Sequence, residues 1–179
     1  FFRLGKQADF YASDDPSSML REIRAACPDV SMLHIDNVNP NSVVKAGGEE
    51  ITRAIVEYCT PGNIAALGVE SWDPEVVKAN LLNTMPATAF KAIGIINKYG
   101  AERGANGMPK FLPGINIIFG LLGETKKTHK CNMEAFAHIV SEGWMLRRIN
   151  IRQIAVMPGT YLESHGGQKF WFKNKSLYW

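Results

Sequence analysis

Residues 115–125 read Ile115-Asn116-Ile117-Ile118-Phe119-Gly120-Leu121-Leu122-Gly123-Glu124-Thr125. The first five are mostly apolar and β-branched, as in a strand buried on both faces. Two glycines then permit a tight reversal. Thr125 is of the type that caps a helix N-terminus, and Gly143 is placed to end that helix after about Glu142. Met133, Phe136, Ala137 and Val140 are its expected inward face. The stretch is therefore one strand–helix unit, and the chain on either side repeats it. Downstream, Arg148 to Met157 alternates through Ile149, Ile151 and Ile154 as a last strand. Upstream, residues 101–114 are rich in Gly and Pro and read as a long loop.

Further upstream, Pro86 to Tyr99 is a helix closed by Gly100, and Asp73-Pro74 begins a shorter one. Ile64 to Val69 is a second continuous apolar strand. A helix from about Glu49 to Tyr58 carries the stripe Ile51, Ala54, Ile55, Tyr58 and Cys59. Ser31 to Val38 is a strand ending in the polar cluster Asp36-Asn37-Val38-Asn39-Pro40. Asp14-Asp15-Pro16 opens a helix with Met19, Leu20, Ile23, Ala26 and Cys27 at helical spacing. Phe1 to Leu4 reads as the end of a strand. Five strands alternating with helices predict an α/β fold, a parallel sheet with right-handed crossover helices. Doubly wound sheets and (β/α) barrels both place ligands at the carboxyl ends of the strands.

Composition narrows the function classes. The chain has 179 residues, 46% of them hydrophobic, and a formal net charge of +3. That apolar fraction suits one globular domain rather than a disordered chain. A charge of +3 does not support nucleic-acid binding. No run approaches the roughly 20 apolar residues of a membrane helix, and no signal peptide is visible at Phe1-Phe2-Arg3, so a cytoplasmic location is expected. Cys27, Cys59 and Cys131 are odd in number and far apart. They give no CxxC spacing and no disulfide framework, and read as reduced thiols, two or more of them buried. His34, His129, His138 and His165 lack metal-ligand spacing, so no metal site is predicted.

The strand ends are unusually polar. They carry Gly5-Lys6-Gln7, Asp36-Asn37, Glu70-Ser71, Gly120 to Glu124, and Gln153. Each cluster alone is explained by capping or pairing; five at one edge point to a shared site. Gly120 to Thr125 lacks the GxxxxGK[ST] and GxGxxG patterns, and a tight turn is sufficient to explain it. No GxSxG elbow surrounds Ser71. Arg148 and Arg152, four apart in a strand, share a face and would meet either solvent or an anion.

The order of these motifs resembles radical S-adenosylmethionine (radical SAM) enzymes. Ala66-Leu67-Gly68-Val69-Glu70-Ser71-Trp72-Asp73-Pro74-Glu75-Val76 is similar to their fourth-strand segment. Residues 115–125 resemble the fifth strand, with Leu122 where Pro is usual. Arg148 to Thr160, ending Met157-Pro158-Gly159-Thr160, resembles the sixth. Phe2 to Gln7 and His34 to Pro40 resemble segments of an uncharacterised archaeal group of iron–sulfur oxidoreductases in that superfamily. The resemblance runs from residue 1 to about 160, leaving 161–179 as a tail or short helix.

The resemblance implies part of a partial (β/α)6 TIM-like barrel that binds S-adenosylmethionine and a [4Fe–4S] cluster. In that family an electron from the cluster cleaves the ligand to a 5′-deoxyadenosyl radical, which acts on a substrate not identifiable here. Carried over by position, Gly5 and Gln7 lie at the turn meeting the methionine amino group. Asp36, Glu70 and Ser71 contact ribose or methionine, Asn116 replaces a common Asp, and Gln153 to Ala155 flank adenine. The family's CxxxCxxC loop is missing, and three thiols on three separate helices cannot replace it. The expectation is a fragment covering strands two to six, with the motif upstream of Phe1 and an uncovered sheet edge prone to self-association. The fragment itself is expected to be inactive. Two alternatives stand beside this: a cluster-free adenosyl-ligand or scaffold domain of the same fold, and an ordinary barrel enzyme using Glu70 and Asp36 as acid and base.

Overall fold

The computed structural model describes residues 16–166. Helix α1 spans Pro16–Ala26, strand β1 Asn37–Val38, α2 Pro40–Val44 and α3 Gly48–Tyr58. Strand β2 spans Asn63–Glu70, α4 Pro74–Ala79, α5 Pro86–Gly100 and β3 Phe111–Phe119. Helix α6 spans Lys126–Ser141, β4 Arg148–Gln153 and α7 Tyr161–Ser164. The four strands form one parallel sheet in the order β1-β2-β3-β4. The predicted α/β parallel sheet with crossover helices is the observed one. The expected strand at Phe1 to Leu4 lies outside the described residues.

Sequential order decides the winding. Each new strand is added beside the last in the same direction. With crossovers of one hand the helices collect on one face. That is the winding of a barrel arc, because a doubly wound sheet reverses its strand order to cover both faces. Among the described residues the arc is open, with β1 and β4 at its edges. The core lies between the sheet and the helices. Ala65, Leu67 and Val69 of β2 and Ile115 and Ile117 of β3 pack against Ala54 and Ile55 of α3 and Ala89, Ala92, Ile93 and Ile96 of α5.

Four local readings differ from the sequence expectation. First, the Ser31–Val38 segment pairs in the ladder only at Asn37 and Val38. Before that, side chains hold it: Thr60 Oγ1 accepts from the Leu33 N–H and Asn63 Oδ1 from the Ile35 N–H. Second, β3 begins at Phe111, within the stretch expected to be a loop. Pro113 is tolerated because its carbonyl faces β4 and accepts from Arg147 N, just before β4 starts. The donor it lacks would point to the same side, so no ladder bond is lost.

Third, α6 is rotated from the expected face. It buries Thr128, Asn132, Ala135 and Ile139, while Met133 and Val140 are exposed. The cause is polar. Thr128 Oγ1 donates to Asp73 Oδ2 at 2.8 Å, and Asn132 Oδ1 accepts from the Trp72 N–H at 2.9 Å. Those buried bonds need Thr128 and Asn132 inside, and a polar group buried without a partner costs more than an exposed methionine. Fourth, only Cys59 is a buried thiol; Cys131 is half-buried and Cys27 exposed.

Candidate functional site

The two faces of β2 and β3 carry different residues. Register aligns Ala66 with Gly114 and Gly114 with Arg148, and it aligns Asn116 with Asn150 and Ile118 with Arg152. Side chains alternate across a strand, so these positions share the face opposite the helices. In a closed barrel that interior is packed with bulky aliphatic side chains. Here Ala66, Gly68 and Gly114 leave it shallow. The resulting cavity of about 460 Å³ is lined by Asn37, Asn39, Ala66, Gly68, Glu70, Asn83, Thr84 and Asn116, among others. That volume is within the usual range for small-molecule sites.

Glu70 is the charged group of the cavity. The register between β2 and β3 shifts between Leu67 and Glu70, and Glu70 adopts φ +63°. A left-handed conformation costs a non-glycine residue about 1–2 kcal/mol. Such backbone strain clusters at functional sites. Its effect is to turn the carboxylate back over Gly68, where an added Cβ would lie 3.3 Å from Oε1. Burial raises the Glu70 carboxyl above its ordinary value of 4.5, and the Arg152 guanidinium opposes that rise. Beside it, Asn116 Oδ1 accepts from Asn150 Nδ2 at 2.9 Å.

The elements around the cavity are fixed by side-chain caps. Asn39 caps α2 by accepting from the Asn41 N–H, and Asn41 Nδ2 donates to the Asn83 carbonyl. This ties the loop after α4 to the first turn of α2. Asp73 Oδ1 caps α4 at Glu75 N, and Ser71 Oγ accepts from Asp73 N. The Gly120–Glu124 turn is also internally satisfied. Glu124 Oε2 accepts from Gly120 N, and Asn80 both accepts from Leu122 N and donates to the Leu122 carbonyl. Buried Glu124 thus locks a turn rather than facing the cavity.

Of the residues singled out from sequence, Glu70 and Asn116 line the cavity together. Ser71 adjoins them in sequence but is buried, with its hydroxyl engaged in the α4 cap. Asp36, Gln153 and Ala155 are exposed and lie outside the lining, while Asp36 lends its carbonyl to Ala66 N. Gly5 and Gln7 lie outside the described residues. The cavity also uses Asn37, Asn39, Asn83 and Thr84. Asn37 lies in β1 and Asn39 just after it, both within the polar cluster 36–40. Asn83 and Thr84 have no local signature; Asn83 is tied to the site by the bond from Asn41.

The donor set can be tested against the ligands of the resembled family. One carboxylate, four amides, a hydroxyl and a glycine floor suit a ligand with an amino group, hydroxyls and a flat ring, so an adenosyl ligand fits. An iron–sulfur cluster does not fit residues 16–166. Among the described residues no three or more His, Cys, Asp or Glu side chains are grouped to hold a metal. Burial pushes the Cys59 thiol up to about 11, away from the thiolate that ligation needs. No helix among the described residues is long and apolar enough to cross a membrane.

The fold likeness agrees with the winding. The chain superposes on coproporphyrinogen III oxidase (HemN) from Escherichia coli, a radical SAM enzyme, with a TM-score of 0.54 and 13% identity, covering 86% of this chain and 31% of that one. The chain therefore has a radical SAM-like fold. It is 42% identical over 182 residues to an uncharacterised protein of Archaeoglobus fulgidus, covering 94% of this chain and 34% of that protein. It is 45% identical over 154 residues to an uncharacterised protein of Methanocaldococcus jannaschii, covering 80% and 28%. The chain thus spans about a third of the length of these relatives. No family model matches it.

Proposed function

We infer that this chain forms the adenosyl-ligand site of a radical SAM-like enzyme and binds S-adenosylmethionine in the cavity between β1, β2 and β3. The observation that carries the reading is the strained Glu70 carboxylate folded over Gly68 on a barrel-type arc whose inner face is hollow rather than packed. Glu70 would accept from the ligand's amino group or hydroxyls. Asn37, Asn39 and Asn83 offer both donors and acceptors to its polar edges. Ala66 and Gly68 give a flat floor for the adenine ring. The ligand's own contribution is a carbon–sulfur bond activated by its sulfonium. The protein residues bind, orient and partly desolvate it. Because the described thiols do not fit a cluster, the reading assigns residues 16–166 the adenosyl ligand alone.

Calorimetric titration with S-adenosylmethionine and S-adenosylhomocysteine tests this. Saturable one-to-one binding is expected. Gly68→Val should weaken it at least tenfold by filling the floor, with native circular dichroism retained. Absence of binding to the folded parent chain overturns the reading. The three thiols, placed on separate elements, are equally compatible with a second reading, a cluster-free adenosyl-binding domain. The full-length Archaeoglobus fulgidus relative separates the two. Reconstitution with iron and sulfide that yields a cluster and cleavage of S-adenosylmethionine supports the first; adenosyl binding without a cluster supports the second.

A further inference from the structure

The inner face of β4 carries two guanidinium groups that the adenosyl site does not use. Register places Arg148 beside Gly114 and Arg152 beside Ile118, both on the cavity side of the sheet. Arg148 leans across β3. A Cβ on Gly114 would lie 3.1 Å from Arg148 Cγ and 3.3 Å from its Nε, so the missing side chain of Gly114 is what lets the arginine lie there. Arg152 is near enough to Glu70 to act on its carboxyl from the other side of β3. Like Arg21 and Arg147, neither arginine's side chain makes a hydrogen bond or ion pair with a described residue, whereas Arg24, Arg53 and Arg103 do. Between the two, Asn150 is held by its bond to Asn116.

Both arginines are exposed, and both stand on the concave face of the arc: Arg148 lies over a glycine, and register sets Arg152 on the same side four residues along. Guanidinium forks match carboxylate and phosphate oxygens bidentately. Positions four apart on a strand stand about 13 Å apart, too far for one small anion to bridge. We propose that Arg148 and Arg152 form a substrate subsite along β4 for an elongated dianion with a carboxylate or phosphate at each end, laid beside the adenosyl ligand. The subsite deepens the proposed function and rests on the concave face being the ligand face. Glu70 then separates the two ligands, repelling the dianion from the adenosyl floor.

Calorimetry at low ionic strength tests the subsite with suberate and 1,8-octanediol bis(methyl phosphate), whose phosphodiester ends carry one charge each, as dianions and octanoate as monoanion. At least one dianion should bind ten or more times more tightly than octanoate, and the one that does assigns carboxylate or phosphate as the end group. R148Q and R152Q should each lose about tenfold, and the double variant should fall to the octanoate level. R152K should recover part of the loss, as a point charge without the fork. S-adenosylhomocysteine affinity should stay unchanged in R148Q, and native circular dichroism reports that each variant is folded. The proposal is overturned if the double variant binds the dianions as the parent does, or if R148Q loses S-adenosylhomocysteine as well. Arginine-dependent dianion binding without any adenosyl binding would instead sink the proposed function and leave the subsite standing.

Discussion

Strands β2 and β3 show two opposite solutions within the same residues. On the helix side, Leu67, Val69, Ile115 and Ile117 are at most 2% exposed and belong to the hydrophobic core. On the other side, one residue out of step, stand Ala66, Gly68, Glu70, Gly114 and Asn116. Beyond Asn63 at the start of β2, the first face is apolar. The second also carries Ile64, Leu112 and Ile118, but around the cavity it is small and polar, with a strained carboxylate at the end of β2. The comparison teaches that stability and binding are separated here by strand parity. A change on one face should move one property and leave the other nearly alone.

The largest effect is expected on the helix side. Ile115→Ala should lower unfolding free energy by about 2–5 kcal/mol, the usual range for a fully buried isoleucine. Chemical denaturation measures it, and a loss under about 1 kcal/mol would mean that this face collapses around the gap. Below the denaturation transition the variant should still bind S-adenosylhomocysteine. Glu70→Gly should act in the reverse way. Relief of the left-handed backbone should raise stability by about 1 kcal/mol, while adenosyl binding is lost. A Glu70→Gly chain that is less stable and still binding-competent would break the separation of the faces.

The smallest effect sharpens the role of Glu70. Its carboxyl is raised above 4.5 by burial, so folding favours the protonated form. The associated stability is present below the ordinary value and lost as pH rises through the raised one. Melting temperature from pH 4 to 8 should therefore fall for the parent relative to Glu70→Gln as pH increases. A parent curve that gains on the variant over that range would mean Arg152 outweighs burial at this site.

Much of the architecture was legible in local pattern. The cap residues Asp73 and Thr125, the helix breaker Gly143 and the apolar runs around Leu67 and Ile117 fixed the order of strands and helices. Their alternation required parallel pairing. Glu70 and Asn116 could be singled out because polar residues at the ends of buried strands need partners. The α6 face was misjudged for a related reason. Hydropathy counts Met133 and Val140 as inward, but Asp73 and the Trp72 N–H, 55 to 60 positions away in the chain, require Thr128 and Asn132 there.

By itself, the sequence determined an α/β chain of strand–helix units with polar strand ends, because periodicity, caps and turn residues act over a few neighbours. Only the tertiary structure decided the rest. It wound the strands one way into an open arc, turned Glu70 into the left-handed region over Gly68, and tied Asn83 to the cavity through Asn41. It also laid Arg148 across Gly114. These are contacts between residues tens of positions apart, and no local propensity encodes which small residue will lie beneath which charge.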